Sequence, residues 1–214
     1  MAVDIDGLRE KLMDQGIALA SMHTDPYKQF EQWFSLAIES HLDEPNAMCL
    51  ATVDEQGQPW QRMVLLKTYD ENGFIFFTNY ESRKAIQINA NHKVCILFPW
   101  HALGRQVIIT GQASRISASE SLNYFVTRSR GSQIGAWASP QSRVITTRAI
   151  LESMVDKIKA RFKEGSIPLP PHWGCFRITP GTFELCQSRQ HRLHDRFQYS
   201  LNESGDWYIE RLAP

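Results

Sequence analysis

The feature that most constrains the fold is a series of short apolar segments separated by turn sequences. Residues 47–53, 61–69 and 74–79 are three such segments, and the acidic, glycine-ended stretches 54–57 and 70–73 lie between them. Strand-length segments bounded by such turns indicate consecutive antiparallel strands. The other predicted strands are 93–98, 105–113, 174–178, 182–187, 192–199 and 207–211.

The predicted helices are few and do not alternate with the strands. Asp25 and Pro26 open a helix with an apolar stripe, and Ser117 with Glu120 forms a capping box that opens another. The segment 147–162 is predicted to be the longest helix, and 129–144 a loop. This order predicts a mainly β (α+β) fold, an antiparallel closed or half-closed β-barrel with flanking helices, and not a doubly wound sheet.

Charge is distributed unevenly along a chain that is neutral overall. Lys and Arg total 23, as do Asp and Glu, and a chain without net charge is not typical of a nucleic-acid-binding protein. Between residues 82 and 151, however, nine basic residues accompany a single acid, Glu120, which is a local excess of +8. We interpret this stretch as containing sites for small anions.

Several sequence motifs that would indicate secretion, membrane insertion or metal binding are absent. The four cysteines form no C-x-x-C pair, the first residues lack a signal-peptide core, and no apolar run approaches the roughly 18 residues that span a membrane. We therefore expect a cytoplasmic protein that binds neither membrane nor nucleic acid. His191 and His194 are spaced as H-x-x-H without further ligands nearby, so we expect no metal site.

The stretch 79–84 is the first of three basic groups suited to chemistry. A predicted strand ends and a helix begins here, and Ser82, Arg83 and Lys84 occupy the junction. Free backbone N–H groups, the helix dipole and two adjacent cations favour a phosphate. The alternative interpretation is a solvated helix start.

The second group is Tyr124 and Arg128, which share one helix face at spacing i, i+4, followed by Ser132. A phenol, a guanidinium and a hydroxyl that converge would hold a second phosphate. Tyr–Arg pairs on helices are also common in surface packing, so the spacing leaves both interpretations open.

The third group is Arg192, His194 and Arg196. On the strand predicted over 192–199, all three would lie on one face and repel each other unless an anionic or aromatic group lay across them. We favour a binding site over the alternative, an exposed edge strand. Arg62 and Lys67 have an odd spacing on one predicted strand, so a single site uses both only across a twist, a bulge or a subunit boundary.

Six motifs, in order, resemble the pyridoxamine/pyridoxine 5′-phosphate oxidase family, whose fold is an FMN-binding split β-barrel. They are Arg62-Met63-Val64-Leu65-Leu66-Lys67, Ser82-Arg83-Lys84-Ala85, Phe98-Pro99-Trp100-His101, Arg105-Gln106-Val107, Ser132-Gln133-Ile134-Gly135-Ala136-Trp137 and Arg192-Leu193-His194-Asp195-Arg196. The closing Arg211-Leu212-Ala213-Pro214 also resembles this family. The resemblance implies one split-barrel domain over 25–214, preceded by an N-terminal segment, 1–24, as a candidate lid.

The resemblance further implies a homodimer with FMN at the subunit interface, some contacts coming from the partner chain. Arg83 and Lys84 would meet the flavin phosphate. The other residues implied at the flavin are Arg62, Met63, Val64, Leu65, Leu66, Lys67, Phe77, Thr78, Ser82, Gln106, Gln141, Ser142, Cys186 and Arg196.

The activity that the resemblance implies is oxidation of pyridoxamine or pyridoxine 5′-phosphate to pyridoxal 5′-phosphate, with O2 reduced to H2O2. Hydride would pass from C4′ of the substrate to the flavin. Arg192 would orient the substrate and assist proton movement, and His194 would hydrogen-bond to it; these are the implied catalytic residues. The remaining substrate-binding residues would be Lys67, Tyr124, Arg128, Ser132 and Arg9.

The chain departs from the family pattern in several places. Cys186 stands where the family has a tryptophan, so the flavin ring environment differs here. Ser188-Arg189-Gln190 replaces a Gly-Gly-Glu-like stretch, Leu12 occupies the place of a tyrosine, and Phe77 replaces a tyrosine.

Two alternatives stay open. One is a related split-barrel flavin oxidase with another substrate, as in phenazine biosynthesis. The side chains implied at the substrate phosphate count against it: Lys67, Tyr124, Arg128 and Ser132. The other is a non-catalytic protein that binds flavin or a vitamer phosphate; Cys186 and Leu12 favour it, and Arg192 and His194 count against it.

Overall fold

In the computed structural model, which describes residues 4–214, six α-helices surround nine strands of one antiparallel sheet. The first three residues of the predicted N-terminal segment lie outside the described part. The helices are α1 (Ile5–Gln15), α2 (Pro26–Glu39), α3 (Arg83–Ala90), α4 (Ala118–Phe125), α5 (Arg130–Ala138) and α6 (Arg148–Arg161). The strands are β1 (Ala47–Val53), β2 (Pro59–Leu65), β3 (Thr68–Asp70), β4 (Gly73–Asn79), β5 (Lys93–Trp100), β6 (Arg105–Arg115), β7 (Trp173–Gln187), β8 (Asp195–Leu201) and β9 (Trp207–Leu212).

The sheet runs in the order β2-β1-β5-β6-β7-β4-β3, and β8 pairs with β7 and β9. Residues 173–178 of β7 pair with β4, whereas residues 182–187 pair with β8. Strand β6 pairs with β7 on its other side, along both halves. The predicted antiparallel α+β fold is therefore confirmed.

Two strand predictions were wrong in detail because the backbone changes partners. The predicted strand 61–69 is two strands, β2 and β3: the Leu66 N–H donates to the Asn46 carbonyl and the Lys67 N–H to the Ile75 carbonyl. Conversely, the two strands predicted over 174–178 and 182–187 are one strand, β7. Pro180 and Gly181 do not interrupt it, because the register shift between Thr110 and Gly111 of β6 accommodates them. Lys67 therefore follows β2 and does not share a strand with Arg62.

The loop predicted over 129–144 contains a helix, α5. The Ser129 hydroxyl accepts a hydrogen bond from the Ser132 N–H (3.3 Å) and caps the helix. Ile134 is buried in a cluster with Phe125 and Trp173. Glycines lower the intrinsic helix propensity of this segment, and we infer that the cap and the burial offset it.

Both predicted helix caps are confirmed. The Asp25 carboxylate accepts a hydrogen bond from the Tyr27 N–H, with Pro26 in the first helical position. The Ser117 hydroxyl and the Glu120 carboxylate accept from each other's backbone N–H groups, as in a capping box. These local signals set where α2 and α4 begin.

The apolar side chains of α6 are only partly covered in the single chain. Val155, Ile158 and Phe162 pack against the cluster that contains Ile134, whereas Ile150 and Met154 are exposed. At 14 residues, α6 is as long as α2 and not longer. Within residues 4–214, no helix is long and apolar enough to cross a membrane.

Phe30 of α2 lies in the centre of the barrel core. It is fully buried, and its ring centroid lies 4.9 Å from that of Phe74 and 5.0 Å from that of Phe98. We expect Phe30→Ala to lower the free energy of unfolding by about 3–5 kcal/mol in urea titrations, because it leaves a cavity. Ile38→Ala, an exposed apolar residue of the same helix, is the control; equal losses from the two variants would contradict the assignment.

Candidate active site

Two adjoining cavities bring together many of the predicted site residues. The Arg128 cavity has a volume of about 550 Å³ and the Lys84 cavity about 520 Å³, and Phe77, Thr78 and Gln141 line both. The Arg128 cavity is also lined by Lys67, Asn79, Tyr124, Ser129, Ser132 and Trp173. The Lys84 cavity is also lined by Trp60, Gln61, Arg62, Met63, Val64, Leu65, Arg83 and Ser142.

The β2 side of the Lys84 cavity is formed by a strand edge. Six consecutive residues, 60–65, line it, and β2 is the terminal strand of the sheet. Because side chains alternate along a strand, lining by consecutive residues means that the strand presents its backbone edge. Leu66 was predicted at the same site, but its side chain is buried in the core.

Lys84 is a buried cation without an acidic partner. Its side chain is 8% exposed, and Nζ donates to the oxygens of Thr78 (3.1 Å), Ser82 (3.4 Å) and Gln141 (3.3 Å). Burial and, secondarily, the charge of Arg62 lower the pKa of Lys84 to about 8. Because these three acceptors are uncharged, the protein does not neutralise the positive charge of the buried ammonium group. The group is therefore well placed to attract an anion.

Ser82 and Arg83 complete this end of the cavity. Ser82 is fully buried at the N-cap of α3, where its side chain makes no capping hydrogen bond. Arg83 is exposed and its guanidinium carbon lies 4.4 Å from the Trp60 ring centroid. A helix N-terminus with two adjacent cations is a favourable place for a phosphate.

Arg62 adds a further positive charge to the lining of the Lys84 cavity. Its guanidinium donates to the Leu50 carbonyl, to the Thr52 hydroxyl (2.6 Å) and to the Gln87 amide oxygen (3.1 Å). Burial lowers its pKa. All of these acceptors are uncharged, so the positive charge of Arg62 is not neutralised by them.

Arg128 is the corresponding cation of the second cavity. Among residues 4–214 its buried Nη1 has no hydrogen-bond partner, and burial lowers the pKa of the guanidinium. Ser129 and Ser132 lie beside it in the first turn of α5, and the Ser129 hydroxyl donates to that of Ser132. An unpaired guanidinium nitrogen next to hydroxyl groups fits an incoming anion.

An aromatic stack lines the Arg128 cavity, and one of its rings, Phe77, also lines the Lys84 cavity. The Phe77 ring centroid lies 4.0 Å from that of Tyr124 and 5.1 Å from that of Trp173, with interplanar angles of 20° and 15°. Arg128 lies over the Trp173 ring at 4.7 Å from its centroid. Trp173 was not identified from the sequence because no local pattern places it beside Arg128, and Ser129 was not identified because the segment 129–144 was predicted as a loop.

A second set of predicted site residues lies away from both cavities. Gln106, Cys186 and Arg196 are directly paired across β6, β7 and β8. Arg196 donates to Glu184 (2.8 Å) and to the Ala213 carbonyl (2.7 Å), and burial raises the pKa of the Cys186 thiol. None of the three lines either cavity of the single chain.

The strand predicted over 192–199 was wrong at its start. Residues 190–192 form a short 3₁₀ turn in which His191 and Arg192 have φ angles of 55° and 62°, and β8 begins only at Asp195. Arg192, His194 and Arg196 therefore do not share one strand face. Arg9 is exposed on α1, which contacts this turn through a hydrogen bond from Gln190 to Asp14 (3.1 Å).

Comparison with known protein families identified two matches. A family model described as pyridoxamine 5′-phosphate oxidase matches residues 34–162. A second, described as the C-terminal dimerisation region of pyridoxine 5′-phosphate oxidase, matches residues 173–214.

Curated relatives align along the whole chain. Proteins named pyridoxine/pyridoxamine 5′-phosphate oxidase from Rippkaea orientalis and Aliarcobacter butzleri are 53% and 51% identical over 212 residues, covering 99% of this chain and 100% of theirs. The protein of that name from Escherichia fergusonii is 51% identical over 207 residues, covering 97% of this chain and 94% of its own.

Two solved structures share the fold. PhzG from Burkholderia lata 383, in complex with tetrahydrophenazine-1-carboxylic acid, has a TM-score of 0.85 at 27% identity and covers 91% of this chain and 95% of its own. A pyridoxamine 5′-phosphate oxidase-related, FMN-binding protein from Nostoc punctiforme has a TM-score of 0.71 at 18% identity and covers 89% of this chain and 98% of its own.

Lys84 makes the free energy of unfolding of the protein depend on pH. Because burial lowers the folded-state pKa of Lys84 from 10.5 to about 8, the unfolded chain binds more protons between these values, and the free energy of unfolding of the ligand-free protein rises with pH across that window. We expect Lys84→Met to remove this rise in urea titrations from below pH 8 to above pH 10. Lys93→Met, at an exposed lysine, keeps it; identical profiles for the two variants would contradict the assignment.

Proposed function

The chain belongs to the pyridoxamine 5′-phosphate oxidase family, and we propose that it uses FMN to oxidise pyridoxine or pyridoxamine 5′-phosphate to pyridoxal 5′-phosphate, reducing O2 to H2O2. The observation that carries the proposal is the pair of adjoining cavities, each with a buried cationic nitrogen, Lys84 Nζ or Arg128 Nη1, that lacks an acidic partner. Two phosphate monoesters, one on the cofactor and one on the substrate, would supply the missing negative charges. We place this activity in the cytoplasm, where unpaired cysteines stay reduced.

The Lys84 cavity fits FMN. Its unneutralised ammonium, the N-terminus of α3 and Arg83 would hold the phosphate, and the backbone edge at 61–65 offers donors and acceptors to a flat heterocycle. Bound FMN would supply the hydride acceptor for the substrate and the electron donor for O2. Phe77, Thr78 and Gln141, which line both cavities, would lie between cofactor and substrate.

The Arg128 cavity would hold the phosphate of the substrate. Arg128 would donate through the nitrogen that has no partner in the protein, while Lys67, Tyr124 and Ser132 would complete the shell. Trp173 would hold the guanidinium plane in place through its ring face. In this role, binding of the phosphate positions the pyridine ring at the boundary of the two cavities.

Arg192 and His194 would act on the pyridine ring from a second copy of the chain. Arg192 would orient the ring and assist proton movement as C4′ is oxidised, and His194 would hydrogen-bond to the substrate. Both lie on the turn before β8, which does not line either cavity of its own chain. A site that needs these residues would therefore be completed across a dimer interface.

The sheet carries a face suited to that interface. Met63, Cys49, Leu97 and Ile108 are directly paired across β2, β1, β5 and β6, which places them in one row on one face, and all four are at least partly exposed. The match of residues 173–214 to a dimerisation region supports a homodimer. We propose that a second copy covers this row, because Met63 also lines the Lys84 cavity and Gln106, two residues from Ile108, shares the face.

The two alternatives are less well supported by the site. A phenazine-type substrate, such as the ligand of the Burkholderia structure, does not explain why Arg128, Lys67 and Ser132 meet in one cavity. A binding protein without turnover does not explain Arg192 and His194. Activity assays with each substrate class distinguish the proposed oxidase from these two alternatives.

The test of the substrate assignment is an aerobic assay with pyridoxine 5′-phosphate. We expect the FMN-loaded protein to form pyridoxal 5′-phosphate and H2O2 in equal amounts. Arg128→Ala should raise KM for this substrate about 10- to 100-fold, since it removes hydrogen bonds to a charged group. Oxidation of unphosphorylated pyridoxine serves as the control and should be unchanged by the substitution; an equal loss with both substrates would contradict a phosphate-binding role for Arg128.

The interface assignment can be tested with hybrid dimers. Arg128→Ala and Arg192→Ala chains, each impaired alone, should regain about half the wild-type rate per dimer when paired, because one of two shared sites is then intact. Flavin fluorescence should show equal FMN content in both parents and the hybrid. A hybrid as impaired as its parents would place each site within one chain.

A further inference from the structure

The turn that carries Arg192 and His194 is tied down by a side chain that the sequence resemblance does not assign. Arg189 immediately precedes this turn, and its Nη1 lies 3.5 Å from Oδ2 of Asp195, the first residue of β8. The side chains are 35% and 15% exposed, respectively, so solvent screens this pair only in part. The ion pair therefore closes the turn between its two ends.

Asp195 is also the attachment point of two other segments. Its Oδ1 lies 2.6 Å from Arg211 Nη1 on β9, and its Oδ2 accepts a hydrogen bond from the Ile17 N–H (3.1 Å) just after α1. Although burial acts to raise the pKa of Asp195, the Arg211 and Ile17 hydrogen bonds and the charges of Arg211 and Arg189 lower it overall. The carboxylate thus stays charged and holds three segments together.

Gly16 marks where the N-terminal segment passes against this ion pair. It has a φ of 60°, a conformation that favours glycine, and an added Cβ would overlap Arg189 Nη1 and crowd Asp195 Oδ2. The space above the Arg189–Asp195 pair is therefore filled by a residue without a side chain. Any larger residue there must displace Arg189.

Arg189 also contacts His194 directly. The Arg189 N–H donates to Nδ1 of His194 (3.1 Å). A neutral imidazole that accepts at Nδ1 carries its proton on Nε2, so this contact selects one tautomer and leaves Nε2–H as the donor of the ring. The position of the Arg189 backbone consequently determines which atom His194 can offer to a substrate.

We propose that Arg189 is a positioning residue for His194: its guanidinium anchors the turn to Asp195 beneath Gly16, and its backbone N–H fixes the imidazole tautomer. The proposal rests on the role of His194 in the proposed function.

The kinetic test uses the FMN-loaded dimer and three variants. We expect Arg189→Ala to lower kcat/KM for pyridoxine 5′-phosphate about 10- to 100-fold, the scale of a misplaced contact group, without changing FMN affinity. Arg189→Lys should recover part of the loss because it retains the charge. Arg148→Ala, which breaks an exposed Arg–Glu pair on α6, is the matched control and should leave the kinetics unchanged.

Two further measurements separate positioning from a general structural effect. The nitrogen NMR shifts of His194 at alkaline pH should show one tautomer, protonated at Nε2, in the wild type and a mixture in Arg189→Ala. Gly16→Ala should also lower kcat/KM, and its loss should be smaller in the Arg189→Ala background, where the overlapping side chain is absent.

The outcomes distinguish this proposal from the proposed function. A wild-type protein that does not oxidise the substrate overturns the proposed function and leaves the tautomer measurement to decide the role of Arg189. An active wild type with unchanged kinetics and an unchanged tautomer in Arg189→Ala overturns the positioning role. Strictly additive losses for Gly16→Ala and Arg189→Ala would also contradict it.

Discussion

Strand β7 determines where both parts of the candidate site lie, because it pairs with β6 along nearly its whole length and with a different strand along each half of its other side. At its beginning, Trp173 lies under Arg128. Near its end, Cys186 lies beside Gln106 and Arg196, and the chain then enters the turn that carries Arg192. One long, continuous strand therefore separates the two sets of residues within a chain, and the site proposed here joins them across a dimer.

The positive charges of the two sets are treated differently by the fold. Lys84 and Arg128 are desolvated with only uncharged partners or none, which is unfavourable until an anion binds. Around the turn before β8, by contrast, three cations are paired: Arg189 and Arg211 with Asp195, and Arg196 with Glu184. The first arrangement favours ligand binding, and the second favours a defined backbone position.

The sequence predicted the basic strand–helix junction at 82–84 because all of its parts are local: a strand end, a helix start and two adjacent cations. Tyr124 and Arg128 were predicted on one helix face, with Ser132 following in a loop. In the structure α4 ends at Phe125, before Arg128, and Ser132 lies in α5, yet all three line one cavity with Lys67; their roles stay predictions. Trp173 was missed because a contact between segments distant in sequence brings it beside Arg128, and Ser129 was missed because its segment was predicted as a loop and not as the start of α5. Residues 192–194 were predicted as strand because the left-handed conformation of Arg192 leaves no pattern in side-chain alternation.

By itself, the sequence determined the antiparallel α+β architecture, the starts of α2 and α4 and the ordered motifs of the family, because apolar alternation, caps and turns act over a few residues. Only the tertiary structure decided that α5 forms in a glycine-containing segment, that 61–69 divides between two sheet partners, and that 173–187 is one strand. Each of these depends on burial or pairing with segments far along the chain, and the free energy of such contacts is not encoded in any local window.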